Sequence, residues 1–278
     1  MSQADLIFIE NCKHILENGV SDEGQNIRPK WDDGAPAHTI RTFGMVNRYD
    51  LSKEFPALTL RRLAFKSCID EILWIWQKKS NNINALNTSI WDAWADENGS
   101  IGKAYGYQLG LKHKYPEGEF DQVDRVLYDL RHNPASRRII TNLYNHEDLH
   151  EMGLYPCAYM MTFNVAKGRL NAMLNQRSQD FLTANNWNVA QYAILTHMFA
   201  QVSGLEVGEF IHVIGDAHIY DRHIPIVKAL LEREPRPAPK LLINTNIKDF
   251  YKFTTDDFTL EDYKPHPFNR QYTIPVAI

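Results

Sequence analysis

The sequence has few cysteines and no long apolar segment. Cys12, Cys68 and Cys157 are widely spaced and form no Cys-x-x-Cys pair, which argues against a disulfide framework or a zinc ribbon. No apolar run approaches the roughly 18 residues that a membrane span requires, and the N-terminus lacks the basic and apolar regions of a signal peptide. We therefore expect a cytoplasmic protein that does not bind a membrane.

The sequence also has no excess of basic residues. The 30 lysines and arginines are outnumbered by 34 acidic residues, which gives a net charge of −4. Broad affinity for nucleic acid is therefore not indicated, and RNA binding is expected at most as a side role. The motifs Gly-x-Gly-x-x-Gly and Gly-x-x-x-x-Gly-Lys-Ser/Thr are absent, so nicotinamide or nucleoside-triphosphate sites of those kinds are not predicted.

One segment, His146-Glu-Asp-Leu-His150, matches the His-Glu-x-x-His pattern of zinc hydrolases. That chemistry requires both histidines on one helical face and a third ligand. Asn145 and Gly153 are good helix-start and helix-stop residues, so the helix would have only about two turns. Because nearly all its residues are polar, we interpret it as a solvated surface helix.

The pattern of apolar residues predicts a mixed fold. The composition, with 44% hydrophobic and 23% charged residues, is that of an ordinary globular protein. Strands and helices do not alternate regularly, which favours an α+β fold over a doubly wound sheet. We predict helices at residues 4–18, 63–77 and 189–202, and strands at 39–49, 159–165, 170–178, 210–219 and 241–243.

Short polar clusters in the C-terminal half contain residue types that perform chemistry. Cys157 follows Pro156, but an isolated cysteine is more often an inert core residue. Arg177 beside Ser178 suits an anion such as phosphate, because a guanidinium offers a planar fork of donors. Neighbours on a strand point to opposite faces, so both side chains can meet one phosphate only if the strand ends or bends there.

Two further clusters are polar. Asp216, His218 and Tyr220 would share one face of an extended segment, where they could line a pocket or form the solvent end of a strand. Arg137 and Arg138 form a compact basic pair, and such pairs are usually solvated. Taken singly, each cluster therefore has a surface interpretation as well as a functional one.

Taken together, these segments resemble the thymidylate synthase family over nearly the whole chain. The motifs occur in the family's order, which makes the resemblance more specific than any single motif. They are Phe55-Pro56, Glu71-Ile-Leu-Trp74, Ile90-Trp91-Asp92, Trp94-Ala-Asp-Glu-Asn-Gly99, Tyr105-Gly106, Ser136-Arg-Arg-Ile-Ile140, Pro156-Cys157, Gln176-Arg-Ser178 with Asp180, Asn188, Gly215-Asp216 with His218 and Tyr220, Arg233-Glu-Pro-Arg-Pro237 and Pro275-Val-Ala-Ile278.

The resemblance implies a fold and an activity. It implies one catalytic domain over residues 1–278, an α+β fold with a large mixed sheet packed by helices, and a homodimer formed through a face of that sheet. It further implies the reductive methylation of dUMP to dTMP. Methylene-tetrahydrofolate would be the co-substrate that donates both the one-carbon unit and the hydride, so neither a nicotinamide nor a metal is expected.

The resemblance also implies catalytic residues. Cys157 matches the nucleophile that adds to C6 of the uracil, for which the chemistry needs a thiolate near cationic donors. Glu71 matches the carboxylate that organises proton-transfer waters, and Tyr105 matches a member of the same hydrogen-bonded set. Asn188 matches the residue that reads the base, because its amide offers a donor and an acceptor to uracil O4 and N3–H.

Other matched positions would bind the two substrates. The positions for dUMP are Arg177, Ser178, Asp180, His218 and Tyr220 from one subunit, Arg137 and Arg138 from its partner, and Arg28. The positions for the folate are Arg61, Trp91, Asp180 and Ala277, the last in a C-terminal tail that closes over the bound folate.

Several positions depart from the family's pattern. Ala158 follows the nucleophile where histidine is common, and Arg61 stands where lysine is common. Residues 183–188 read Thr-Ala-Asn-Asn-Trp-Asn in place of Leu-Gly-x-Pro-Phe-Asn, a segment that approaches the pterin. The Arg-Thr-Gly-Thr phosphate loop is missing near the N-terminus, and we assign its role to Arg28.

Three alternative functions remain. A nucleotide hydroxymethylase on the same scaffold would let water, rather than hydride, trap the intermediate. Asn188 favours uracil over cytosine, and Trp91 and Leu154 keep the bulk that excludes water, but the altered segment 183–187 keeps this alternative open. A non-catalytic or RNA-binding relative is disfavoured by the retained polar residues, and a zinc hydrolase is the weakest alternative.

Overall fold

The computed structural model describes residues 1–267 and 274–278, and every element named here lies in that part of the chain. The helices are α1 (Gln3–Asn18), α2 (Phe65–Trp76), α3 (Gly106–Gly110), α4 (Gln122–His132), α5 (Asn185–Val202) and α6 (Ile224–Leu231). The strands are β1 (Val20–Ser21), β2 (Thr39–Asp50), β3 (His113–Tyr115), β4 (Gly118–Phe120), β5 (Ile140–Asn142), β6 (Ala158–Ala166), β7 (Arg169–Asp180), β8 (Glu206–Tyr220), β9 (Lys240–Ile243) and β10 (Phe258–Glu261).

A mixed sheet forms the centre of the fold. Its strands lie in the order β1–β2–β8–β7–β6–β5, in which only β7 and β8 pair in parallel. The parallel register places Ser178 beside Asp216 and Asp180 beside His218. The ends of the two strands therefore bring polar side chains to the same edge of the sheet. The small hairpins β3–β4 and β9–β10 lie outside it.

The two faces of the sheet differ in burial. Along β7 the even-numbered residues 170–176 are buried, whereas the odd-numbered residues between them are partly exposed. Along β8 the same alternation holds from residue 208 to residue 214. Helix α5 packs on the buried face of both strands. Helices on one face of a mixed sheet are the arrangement that the predicted α+β class describes, and that prediction is confirmed.

The core is richest in aromatic rings where α5 meets α2. The ring of Phe199 on α5 lies 4.6 Å from that of Phe250, 5.2 Å from that of Phe163 and 6.0 Å from that of Trp76. All four side chains are at most 1% exposed. Burial of one large apolar side chain contributes about 1.5–3 kcal/mol, so this cluster fixes α2 and α5, which also provide residues of the site.

The three helices and five strands predicted from the pattern of apolar residues are present, with shifted ends. Helix α5 begins at Asn185 rather than at Val189, and the predicted strand at 241–243 becomes β9. That strand is not the last one, because β10 pairs with it. Among the helices that the structure describes, none is long and apolar enough to cross a membrane.

The prediction of a helix between Asn145 and Gly153 is wrong. Only a 3-10 turn at Leu149–Glu151 forms there. The Asn145 side chain accepts a hydrogen bond from the Glu147 N–H and donates one to Asp148, which satisfies a turn instead of starting a helix. So short a segment without an apolar face gains too little from packing to continue as a helix.

Candidate active site

The backbone of Cys157 is held from two sides at the start of β6. Its carbonyl oxygen accepts a hydrogen bond from the Arg177 N–H on β7, with an N···O distance of 2.9 Å. Its own N–H donates to the Tyr105 hydroxyl, at 3.0 Å. Tyr105 has φ of 46°, a left-handed conformation that costs a non-glycine residue about 1–3 kcal/mol. This strain is consistent with a positioned functional residue.

The thiol of Cys157 faces a guanidinium. Arg177 Nη2 lies 3.7 Å from Sγ, and the same guanidinium donates to the carbonyl oxygens of Tyr155 at 2.8 Å and Pro156 at 3.0 Å. Burial raises the pKa of the Cys157 thiol, while Arg177, Tyr105 and Arg28 act in the opposite direction. The thiol is therefore protonated at neutral pH, and attack by Sγ requires the loss of that proton.

A buried carboxylate lies between two indoles. Glu71 on α2 is 5% exposed, and it accepts hydrogen bonds from Trp91 Nε1 at 3.2 Å and from Trp187 Nε1 at 2.6 Å. Burial raises the pKa of Glu71 to about 7, although the donors Trp187, Trp91 and Gln191 oppose this effect. A carboxyl that titrates near neutral pH can exchange a proton under ordinary conditions.

The amide of Asn188 is oriented by two glutamines. Its Oδ1 accepts from Gln176 Nε2 at 3.1 Å, and its Nδ2 donates to Gln191 Oε1 at 3.2 Å. Gln191 in turn donates to the carbonyl oxygen of Cys68 on α2, at 3.3 Å. These bonds leave one N–H and one lone pair of Asn188 for a ligand, which is the pair that uracil O4 and N3–H would need.

A histidine fixes the other end of this series of hydrogen bonds. His212 Nε2 lies 2.8 Å from Gln176 Oε1, and both Gln176 N–H groups are already donated, to Asn188 and to the Ser178 carbonyl oxygen. Gln176 Oε1 must then accept, so His212 carries its proton on Nε2. Burial lowers the pKa of His212 to about 3, which keeps the ring neutral.

Asp180 at the end of β7 joins the site to the C-terminal tail. Its carboxylate accepts from the N–H groups of Leu182 at 2.8 Å and Thr183 at 3.2 Å. His223 Nδ1 lies 3.7 Å from Asp180 Oδ1, and His223 Nε2 donates to the Pro275 carbonyl oxygen at 2.8 Å. Burial opposes ionisation of Asp180, but His223 and Thr183 outweigh it and lower its pKa to about 2.

The polar residues at the end of β8 share one face, as their spacing predicts. His218 Nδ1 lies 2.8 Å from Asp216 Oδ1, and the rings of His218 and Tyr220 are 5.1 Å apart. Arg28 lies close enough to influence the pKa values of both Tyr220 and Cys157. Arg28 therefore lies near both Tyr220 and Cys157.

Other predicted residues lie at the periphery. Arg61 donates to the Leu182 carbonyl oxygen, so it supports the loop after β7. Ala277 lies in a tail whose last residue, Ile278, exchanges two backbone hydrogen bonds with Lys30, at 2.8 and 3.0 Å. Strand β7 runs on past Ser178, so the strand end that would turn Arg177 and Ser178 to one side is not found there.

Arg137 and Arg138 are the predicted residues that this chain does not bring to the cleft. Both are exposed, and neither guanidinium forms an ion pair within residues 1–267 and 274–278. In the same part of the chain, no three histidine, cysteine or acidic side chains are placed to hold a metal ion. His146 and His150 are exposed, as the surface interpretation of their segment predicts.

Sequence reasoning missed four residues of the site. Trp187 contacts Glu71, Gln176 and Gln191 contact Asn188, and His212 contacts Gln176. Gln176 had a local signal, since it precedes Arg177 in a recognised motif. Gln191 lies only three residues after Asn188 on α5 but belongs to no recognised motif, whereas Trp187 and His212 have partners far away in the sequence.

Comparisons with known proteins agree with this geometry. The sequence model of the family described as thymidylate synthase matches residues 6–277. A thymidylate synthase of Bacillus subtilis subsp. natto is 49% identical over 269 residues, which cover 95% of this chain and 96% of that protein. One from Bacillus phage phi3T is 48% identical over the same shares. The solved structure of thermostable thymidylate synthase A from Bacillus subtilis superposes with a TM-score of 0.94, at 45% identity and over 100% of both chains.

The fold and these similarities define a methyltransferase of nucleotide biosynthesis. The chain belongs to the thymidylate synthase family, and its function is the synthesis of dTMP.

Proposed function

We propose that this enzyme methylates dUMP through a covalent bond between Cys157 Sγ and C6 of the uracil. The observation that carries the proposal is the pairing of the Cys157 thiol with the Arg177 guanidinium at 3.7 Å. The thiol proton passes to solvent water as Sγ bonds to C6, and the electron pair of the C5–C6 double bond moves toward C5 and O4. C5 then becomes the nucleophilic carbon that accepts the one-carbon unit.

The base is read by Asn188. Gln176 and Gln191 hold its amide in one orientation and leave one N–H for uracil O4 and one lone pair for N3–H. Cytosine presents an amino donor and a bare N3 at the same edge, which this orientation opposes. We therefore propose a preference for dUMP over dCMP.

The folate subsite lies beside Glu71. Trp91 offers a buried aromatic wall, and Asp180 is held ionised, which fits a planar pterin with N–H donors. The folate would supply the one-carbon unit and the hydride. Glu71 would organise the waters that move protons, with Tyr105 in the same hydrogen-bonded set. Arg61 would support the loop after Asp180.

The nucleotide's sugar and phosphate would lie across the ends of β7 and β8. His218 and Tyr220 would hold the sugar hydroxyl, and Arg177 and Arg28 would meet the phosphate. Because β7 runs on past Ser178, the Ser178 hydroxyl would join them only if the strand bends when the nucleotide binds. A dianion needs several cationic donors, and Arg177 already shares its donors with the Tyr155 and Pro156 carbonyls.

Arg137 and Arg138 would complete the phosphate site from a partner subunit. The uncovered face of the sheet supports this dimer, because it presents apolar side chains that a solvated surface would not favour. Val46 on β2 is 59% exposed and pairs with Val213 on β8, and the half-buried Val213, Ile211 and Met173 point to the same side of the sheet. We propose a homodimer whose subunits share their active sites.

The remaining features fit one catalytic domain over residues 1–278, with Ala277 in a tail that closes over the folate. Cys12, Cys68 and Cys157 are free, which supports a reducing compartment such as the cytoplasm.

The proposal is tested by Cys157→Ala. This variant should bind dUMP with nearly unchanged affinity in calorimetry and form no detectable product. Cys12→Ala is the matched control, because Cys12 is fully buried in α1 and should affect stability but not the chemistry. Substantial residual turnover by Cys157→Ala would refute the covalent mechanism.

A further inference from the structure

Trp187 joins the first turn of α5 to the middle of α2. Its indole Nε1 donates to Glu71 Oε2 at 2.6 Å, and its carbonyl oxygen accepts from Cys68 Sγ at 3.6 Å. Two contacts from one residue to the same helix fix the position of the ring. The other carboxylate oxygen of Glu71 accepts from Trp91 at 3.2 Å, so each oxygen has its own indole donor.

An indole N–H can only donate, so both contacts favour the ionised carboxylate. Burial works against that form, and it is the main reason why the pKa of Glu71 is raised to about 7. The ionisable neighbours are Asp70 and Cys68 on α2 and Tyr192 on α5. None of these is a cation, so the hydrogen-bond donors are what keep Glu71 available as a carboxylate.

We propose that Trp187 is a positioning residue: its indole N–H holds one oxygen of Glu71 and sets the pH range in which that carboxylate can assist proton transfer. This inference rests on the function proposed above for Glu71. Phenylalanine, which the family's pattern has at this position, would fill much of the same space but donate nothing. The segment that departs most from that pattern thus places a new donor on a catalytic carboxylate.

The test is Trp187→Phe, with Trp76→Phe as the matched control. Trp76 is a buried indole on α2 that packs against Tyr192 and Phe199, without a contact to Glu71 among the described residues. Infrared difference spectroscopy would follow the carboxyl stretch of Glu71 against pH in the full-length enzyme, with Glu71→Gln to assign the band. The pH dependence of kcat would be measured on the same proteins.

Loss of a hydrogen bond to a charged group should raise the titration midpoint of Glu71 by about one to two pH units. From a midpoint of about 7, the ionised fraction at pH 7 then falls roughly 5- to 50-fold, and kcat should fall with it and recover as the pH is raised. Trp76→Phe should leave both curves in place.

An unchanged infrared titration in Trp187→Phe would overturn the inference. A loss of kcat that does not recover at higher pH would do the same, because a merely structural defect is not reversed by pH. If the infrared midpoint moves but the kcat profile does not, the proton-transfer function of Glu71 is refuted, and the positioning function of Trp187 falls with it.

Discussion

Replacement of Asn188 by aspartate exchanges one NH₂ group for an oxygen and should change the choice of base. In the native site, Nδ2 of Asn188 donates one N–H to Gln191 Oε1 at 3.2 Å, which leaves its second N–H for the base. Aspartate keeps the acceptor that Gln176 requires but offers no donor when ionised. Uracil O4 would then face an oxygen, whereas the amino group of cytosine would find an acceptor.

The magnitude follows from the hydrogen bonds that are lost. An unpaired buried polar edge costs about 1–3 kcal/mol, or about ten- to a hundred-fold in kcat/KM. Gln191 Oε1 loses its donor as well, and Gln191 Nε2 is already bonded to the Cys68 carbonyl oxygen, so a simple amide flip would break that bond. We expect kcat/KM for dUMP to fall far more than kcat/KM for dCMP.

The assay is the ratio of kcat/KM for the two nucleotides, measured in the wild type and in Asn188→Asp. Asn164→Asp is the control, because it adds the same charge at an exposed position of β6. The control should keep the wild-type ratio. An unchanged ratio in Asn188→Asp would show that Asn188 does not read the base.

Three further predictions concern the dimer, the acid limit of stability and the core. Mixing Arg138→Ala subunits with Cys157→Ala subunits should restore activity by forming one intact site per heterodimer; inactivity of heterodimers confirmed by native mass spectrometry would refute shared sites. Because the folded pKa of Asp180 is about 2 and its usual value is 3.8, its stabilisation is complete above about pH 4 and disappears as the pH falls through 2. The difference in unfolding free energy between wild type and Asp180→Asn should therefore shrink by about 2 kcal/mol over that window in urea titrations, and a constant difference would contradict the contact with His223. Phe199→Ala should cost about 3–5 kcal/mol in chemical denaturation, and a loss below about 1 kcal/mol would argue against the central aromatic cluster.

Most of the sheet was predictable from the sequence because its strands have strong local patterns. The hairpin between β6 and β7 turns at Lys167 and Gly168, whose φ values of 51° and 75° are the positive values that a two-residue hairpin turn requires. Helix α4 was missed although its signal was readable. Asp121 caps its N-terminus, and buried residues recur at helical spacing in Val123, Val126, Leu127 and Leu130.

The hydrogen bonds that orient the side chains of the site were not predictable from local sequence. Trp187 meets Glu71 across 116 residues, and Gln176 meets His212 across 36. Such contacts depend on how α5 packs between α2 and the sheet. The spacing of apolar residues in the sequence does not predict that packing. The resemblance to a family supplied the residues for which we propose direct roles, but it could not supply Trp187, where this sequence departs from the family's pattern.

The most direct test of the central claim is product analysis by mass spectrometry after incubation with dUMP and methylene-tetrahydrofolate. The enzyme should convert dUMP to dTMP, and Cys157→Ala should form no product under the same conditions. A hydroxymethylated nucleotide would mean that water rather than hydride completes the reaction. Formation of dTMP by the Cys157→Ala enzyme would contradict the covalent mechanism.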